Sequence, residues 1–283
     1  STYPRLPYGL DETVINGEKV RVTEEYVDHA VPFGPLLHFK REGVARNDPK
    51  VLIVPPLSGH YPSFVRDEIK EFIGDSEVYV PDWQNADDIP KADGKFDLDD
   101  YRDALIHYIK NVIGPDVHII AICQSTVPVL MAVGKLAAEC PDLQPLSMNL
   151  KAGPVDVRRA SGRVSDAAEN ASLKDFERFY KMQVSPWRAG AGREVHAGIA
   201  QLFGFYSLDP ARHVADLAKA WHATIGRNYE ERTRRVHYNK NFKSVLDMPW
   251  EFVYQTMPDV FVDPKLPGND SLSKITRPFV KVD

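Results

Sequence analysis

Polar and apolar positions alternate over residues 1–50 and are broken by turn residues. Asn16-Gly17, between 12–15 and 19–22, predicts a hairpin, because both residues tolerate the positive φ angles of a tight two-residue turn. His38-Phe39-Lys40-Arg41 predicts the end of another short strand, and Asn47-Asp48-Pro49 then breaks the chain. From residue 51 the rhythm changes. Val51-Leu52-Ile53-Val54 is an uninterrupted apolar run stopped by Pro55-Pro56, as expected of a strand buried on both faces. Residues 61–72 carry Phe64, Val65, Ile69 and Phe72 at helical spacing, and Val78-Tyr79-Val80 predicts a second strand closed by Pro81-Asp82-Trp83. Asp97-Leu98-Asp99-Asp100 opens a helix with carboxylates at its positive end. Residues 117–122 predict the third strand, 127–138 a helix and 146–150 a fourth strand. Strand–helix alternation of this kind predicts an α/β domain with a mostly parallel sheet covered on both faces.

The alternation ends after Gly153-Pro154. Residues 156–265 hold helical stretches rich in Trp, Tyr, Phe, Arg and His, with few strand candidates. Phe176, Phe179 and Tyr180 form one aromatic group, and Phe203, Phe205 and Tyr206 another. The expected organisation is N-terminal strands and core over 1–155, and an inserted helical cap over 156–265. A return to the core follows over 266–283, where 264–270 reads as a loop and 277–283 as the start of another strand.

Composition narrows the classes. The 283 residues are 43% hydrophobic and 27% charged, with 17 Gly and 22 Pro, which excludes a collagen-like or generally disordered chain. A net charge of −5 gives no general attraction to nucleic acid or anionic lipid. Two cysteines, Cys123 and Cys140, make neither a disulfide scaffold nor a zinc-ligand spacing. No apolar run is long enough for a transmembrane span, and no signal peptide is evident. The first residue is Ser1, consistent with a processed or truncated start, and a cytoplasmic protein is the simplest reading.

The chemistry centres on Ala121-Ile122-Cys123-Gln124-Ser125-Thr126-Val127-Pro128. Cys123 follows the strongest strand and precedes a helix, the topology of a nucleophile elbow, with small Ala121 and Ser125 where glycines are usual. The helix N-terminus behind it is expected to lower the thiol pKa. An inert buried cysteine is the alternative, and Ser125 is a rival hydroxyl nucleophile. Pro55-Pro56-Leu57-Ser58-Gly59-His60 follows the first core strand. In hydrolases of this topology such a loop and the residue after the nucleophile supply backbone N–H groups to an oxyanion. Gln124 is one expected donor, and Leu57 or Ser58 the other. His60 is a pocket candidate, with a structural hydrogen-bonding role as its alternative.

These stretches resemble the intracellular poly(3-hydroxybutyrate), or polyhydroxyalkanoate, depolymerases of the α/β-hydrolase superfamily. The likeness is carried by Thr23-Glu24-Glu25, Leu37-His38-Phe39, Pro56 to Tyr61, Val78 to Trp83, Gly94 to Tyr101, Cys123-Gln124 with Val127-Pro128-Val129-Leu130, and Gly153-Pro154-Val155-Asp156. It continues through Gly204-Phe205 and Asp209 to His213. The resemblance implies an α/β-hydrolase fold, hydrolysis of storage polyester or its oligomers, granule surface association, and Cys123 as nucleophile. It implies no metal and no cofactor. Ser125-Thr126 after Cys-Gln is a local departure expected to reshape the pocket.

A cysteine nucleophile requires a histidine base, usually oriented by an acid. In α/β-hydrolase order these follow the strand after the cap and the last strand, and no position before Asp283 matches them. His118 is expected to be structural, and His196, His213, His222 and His237 to be cap packing or surface residues. Glu230, Glu231, Arg232, Arg234 and Arg235 read as a solvated mixed-charge face. Three explanations stay open: a partial chain of a depolymerase, a site completed by a C-terminal companion fragment, or an inactive granule-binding protein. A polyester synthase-like acyltransferase could use the same cysteine. A dehydrogenase is disfavoured, because no strand-to-helix loop carries Gly-x-Gly-x-x-Gly.

Overall fold

The computed structural model describes residues 5–44, 47–57, 60–159, 173–208, 240 and 242–276. The alternating N-terminal stretch forms an antiparallel flank. β1 (Glu12–Ile15) and β2 (Glu18–Asp28) pair through Ile15↔Glu18, across a turn in which Asn16 and Gly17 both take positive φ. β3 (Leu36–Arg41) pairs antiparallel with β2 on one side and with β5 (Glu77–Pro81) on the other.

The apolar runs form the parallel part. β4 (Lys50–Val54) lies between β5 and β6 (Val117–Ile122), and β7 (Ser147–Lys151) follows β6, all parallel. The seven-stranded order is β1-β2-β3-β5-β4-β6-β7. The chain leaves β4 toward β5 and then crosses back to β6. The carboxyl ends of β4 and β6 therefore flank a topological switch point, where open α/β sheets form their crevice.

Successive strand residues point to opposite faces. Leu52, Val54, Ile119 and Ala121 join the core beneath α2 (Leu98–His107) and α3 (Thr126–Glu139). Val51, Ile53, Val78, Val80 and Ile120 pack with Val65, Ile69 and Ile73 around α1 (Arg66–Phe72). A short 3₁₀ turn, Pro62–Val65, precedes α1, so the stretch expected as one helix is two. Asp97 and Asp100 form the capping box that starts α2, each carboxylate accepting the other's backbone N–H at 2.9 Å. Fully burying a Leu or Ile contributes about 2 kcal/mol relative to exposure. Exposed pairs such as Lys19–Glu12 and Lys40–Glu25 contribute at most about 1 kcal/mol each. The two apolar layers hold the sheet.

Beyond β7 the described segments are α4 (Leu173–Tyr180), α5 (Gly198–Leu208) and α6 (Trp250–Thr256), with a separate antiparallel sheet. That sheet orders β10 (Met248–Pro249), β9 (Glu194–His196) and β8 (Lys181–Gln183). The sequence reading did not anticipate the strands. Strands of two or three residues are too short to show a two-residue period. Residues 264–270 are not a plain loop, since 3₁₀ turns occupy Leu266–Gly268 and Asp270–Lys274. The strand expected over 277–283 lies outside the described residues, as do His213, His222, His237 and the charged stretch from Glu230 to Arg235.

Candidate active site

Cys123 stands at the switch point. β6 ends at Ile122, a 3₁₀ turn covers Cys123–Ser125, and α3 starts at Thr126. Cys123 has φ +58°, the left-handed region that costs an L-residue roughly 1–2 kcal/mol. This is the backbone signature of a strand-to-helix elbow that lifts one side chain above the sheet. Cys123 is exposed, and the inert-core alternative finds no support in that position.

Hydroxyls pin the turn. Ser125 Oγ accepts the Ile122 N–H at 2.8 Å and lies 2.7 Å from the Val54 carbonyl and 2.9 Å from the Ile122 carbonyl. Thr126 Oγ1 donates to the Cys123 carbonyl at 2.9 Å. Ser125 is fully buried, so its hydroxyl is engaged in structure and has no path to a substrate as a rival nucleophile. The end of β7 closes the far side. Ala152 also has positive φ, and a Cβ on Gly153 would overlap the Thr126 side chain. Only glycine lets this loop lie against the elbow.

The loop after β4 is held from beneath. The Pro55 carbonyl accepts from Trp83 Nε1 and from the Tyr101 hydroxyl, both at 2.9 Å. Pro55 and Pro56 have no N–H, so Leu57 carries the first backbone donor beyond the strand. Its side chain is buried. Ser58, the other expected donor on this loop, lies outside the described residues. His60 is buried between Phe64 and Phe242, with ring centroids 4.8 and 5.1 Å away. Its Nε2 is 3.1 Å from the Phe242 carbonyl, and His60 forms an antiparallel bridge with Val245. Burial pulls the imidazole down to about 4, against the opposing effect of the Phe242 carbonyl. A neutral ring in that setting ties the loop to the segment of Phe242 and Val245.

The electrostatics of the thiol differ from the sequence expectation. Although part of Cys123 reaches solvent, the protein packed around its sulfur desolvates the thiolate and pushes the thiol up, and the Gln124 backbone N–H offsets this only in part. The irregular turn before α3 does not outweigh desolvation, so the thiol needs a base. Gln124, the other expected oxyanion donor, thus has its N–H against the sulfur, while its Oε1 is buried with no hydrogen-bond partner. His118 Nδ1 pairs with Ser147 Oγ at 2.7 Å, across the β6–β7 register. His196 is buried in β9 with Nδ1 3.3 Å from the Tyr180 carbonyl, and burial lowers its pKa. Neither is joined to the elbow by any of these contacts.

The sequence reading missed the seam that joins Gly190, Arg193, Gly198 and Asp247 to residues 85–94 and Phe33. Arg193 is buried and donates to the carbonyls of Ile89, Gly94 and Pro90 at 3.1, 2.8 and 2.7 Å, with its guanidinium 4.9 Å from the Phe33 ring centroid. Asp247 accepts the Gly198 N–H at 2.6 Å, and its own N–H donates to Asn85 Oδ1 at 3.0 Å. Gly190 donates to the Asp87 carbonyl at 2.7 Å, where a Cβ would stand 2.6 Å from the Ala86 carbonyl. Glycine spacing is the one local signal, and the partners are far away in sequence. Among the described residues, no group of three or more His, Cys, Asp or Glu is placed to hold a metal ion, and no helix is long and apolar enough to cross a membrane.

Comparison with known proteins gives one family match and several similar solved structures. The family described as PHB de-polymerase C-terminus matches residues 152–280. No curated protein matches. Similar solved structures include a Francisella virulence factor, BioJ (10% identity, 53% of this chain and 49% of that one, TM-score 0.37). Others are a putative esterase from Staphylococcus aureus (16%, 52% and 48%, 0.36) and naproxen esterase from Bacillus subtilis (13%, 57% and 55%, 0.36). The chain spans about half the length of each, and nothing about the site rests on overlaps this small. The family match over 152–280, less than half of the chain, makes that part similar to the C-terminal region of PHB depolymerases, and a mostly parallel sheet with a left-handed residue between strand and helix at its switch point is the arrangement of an α/β-hydrolase fold.

Proposed function

We propose that Cys123 is the nucleophile of a carboxylic ester hydrolase acting on poly(3-hydroxybutyrate)-type polyester or its oligomers. The observation that carries this reading is the exposed thiol on a left-handed residue between β6 and α3. The sulfur, as thiolate, attacks the ester carbonyl carbon. The Gln124 N–H and a donor from the loop at Leu57 or Ser58 receive the developing oxyanion. Collapse breaks the carbon–oxygen bond, and the leaving alkoxide takes a proton from a histidinium, leaving a thioester on Cys123. Water, deprotonated by the same histidine, attacks the thioester. The carbon–sulfur bond breaks and the free 3-hydroxy acid and thiolate are released.

Because burial raises the thiol pKa, the thiolate must be generated by that base. The base and its acid are expected on the sheet strands that follow the cap, beyond the described residues. Phe179, Trp187 and Phe203 stand largely exposed on the cap, and such apolar rings suit a polyester of methyl groups and carbonyls. In the full-length protein, Cys123→Ala is expected to lower release of 3-hydroxy acids about a thousandfold or more, with the thermal midpoint little changed. Undiminished hydrolysis would refute the nucleophile. Chain growth from a thioester donor, in place of free acid, would instead identify an acyltransferase.

A further inference from the structure

Ser125 occupies the position where elbows of this kind usually carry glycine, and its hydroxyl is fully buried at the junction of two strands. The last paired residues of β4 and β6 are Val54 and Ala121. Beyond them β4 runs into Pro55 and Pro56, which have no N–H to extend a ladder. At that point the Ser125 hydroxyl takes the Ile122 N–H at 2.8 Å and, at 2.7 Å, is best placed to donate to the Val54 carbonyl. A hydroxyl can accept and donate at once, which neither glycine nor alanine can do. The same side chain thus touches the strand that leads into Cys123 and the strand that leads into Leu57.

We propose that the Ser125 hydroxyl is a positioning group for Cys123, a spacer between the ends of β4 and β6 that sets where the Gln124 and Leu57 N–H groups stand relative to the sulfur. The inference rests on Cys123 being the nucleophile. Thr126 pins the elbow from the other side through the Cys123 carbonyl, so the left-handed turn is held at both ends, and Ser125 couples it to β4. Removing the hydroxyl leaves the Ile122 N–H and the Val54 carbonyl to close on each other or to go unpaired. In either case the loop carrying Leu57 shifts against the elbow.

The test follows Cys123 alkylation by iodoacetamide across pH in the full-length protein, in a Cys140→Ser background and read on the Cys123 peptide by mass, so that one thiol reports. Ser125→Ala and Ser125→Gly are each expected to lower the plateau rate about tenfold, as displacement of a reacting atom does. Each is also expected to move the midpoint upward by about half a pH unit, as the Gln124 N–H loses its aim at the sulfur. Ser76→Ala removes another buried hydroxyl, bonded only to Asp75 among the contacts described. It is expected to leave the profile unmoved whatever it does to stability. An unchanged profile in either Ser125 variant, measured on folded protein, would overturn the proposal even if melting falls. Hydrolysis by Cys123→Ala separately decides the nucleophile: loss of hydrolysis there with unchanged Ser125 profiles would reject the spacer and keep the nucleophile.

Discussion

The elbow at Cys123 and the seam at Arg193 are both polar and intolerant of side-chain atoms at a glycine, yet they are held in opposite ways. At the elbow, Ser125 and Thr126 bond to residues three positions away, with one longer reach to Val54. At the seam, Arg193 reaches carbonyls 99 to 104 residues away, and Asp247 meets Asn85 at a separation of 162. The elbow's geometry is nearly complete once β6 and α3 form. The seam's exists only when the whole chain has closed. Short-range bonds fix the direction of one side chain, whereas long-range ones hold the segments after β7 against the core.

Breaking the seam at its centre has the largest expected effect on stability. Arg193→Met keeps much of the packing over Phe33 and strips donors from three carbonyls. At 1–3 kcal/mol for each unsatisfied group, less what water recovers, the loss is about 4 kcal/mol in urea unfolding. A loss below about 1 kcal/mol would mean that the guanidinium only fills space. At the elbow, Gly153→Ala forces a Cβ into the Thr126 side chain and is expected to cost about 3 kcal/mol through overpacking, with a fall in Cys123 alkylation. Unaltered alkylation would show that β7 does not brace the turn.

The smallest effect is a pH dependence in which two sites oppose each other. His60 is held at about 4, below the 6.5 of the unfolded chain, so between these values the unfolded state binds more protons. Its contribution is present above pH 6.5 and is lost as pH falls to 4, by about 3 kcal/mol at most. Burial, together with the carboxylate of Asp247, pushes Asp87 up to about 6. There the folded state binds more protons, and stability is lost as pH rises from 4 through 6. Asp87→Asn is therefore expected to steepen acid destabilisation between pH 6 and 4, and His60→Phe to flatten or reverse it. Parallel pH curves for both variants and the parent would contradict this pairing of signs.

The same contrast governs what could be read in the sequence. The Asn16-Gly17 hairpin, the double-faced strand 51–54 and the Asp97–Asp100 helix start are all written in neighbouring residues, and the structure has each of them. So is the strand–turn–helix around Cys123. The electrostatic expectation at Cys123 failed, because whether burial or the helix end dominates depends on packing contributed by the rest of the fold. Ser125 could be noticed as a hydroxyl near Cys123, but its link to Val54 joins residues 71 positions apart. Arg193, Asp247 and Asn85 gave no local sign of their roles. A charged residue that is to be buried resembles one that is to be exposed until its partners are known.

The proposed reaction passes through a covalent bond at one sulfur, and that bond can be trapped. The full-length protein would be mixed with an activated ester of 3-hydroxybutyrate, quenched in acid and digested for peptide mass analysis. The account predicts one 3-hydroxybutyryl group on Cys123, in a linkage that hydroxylamine cleaves readily, as it does a thioester. Acylation at Ser125, or sustained hydrolysis with Cys123 never acylated, would contradict it.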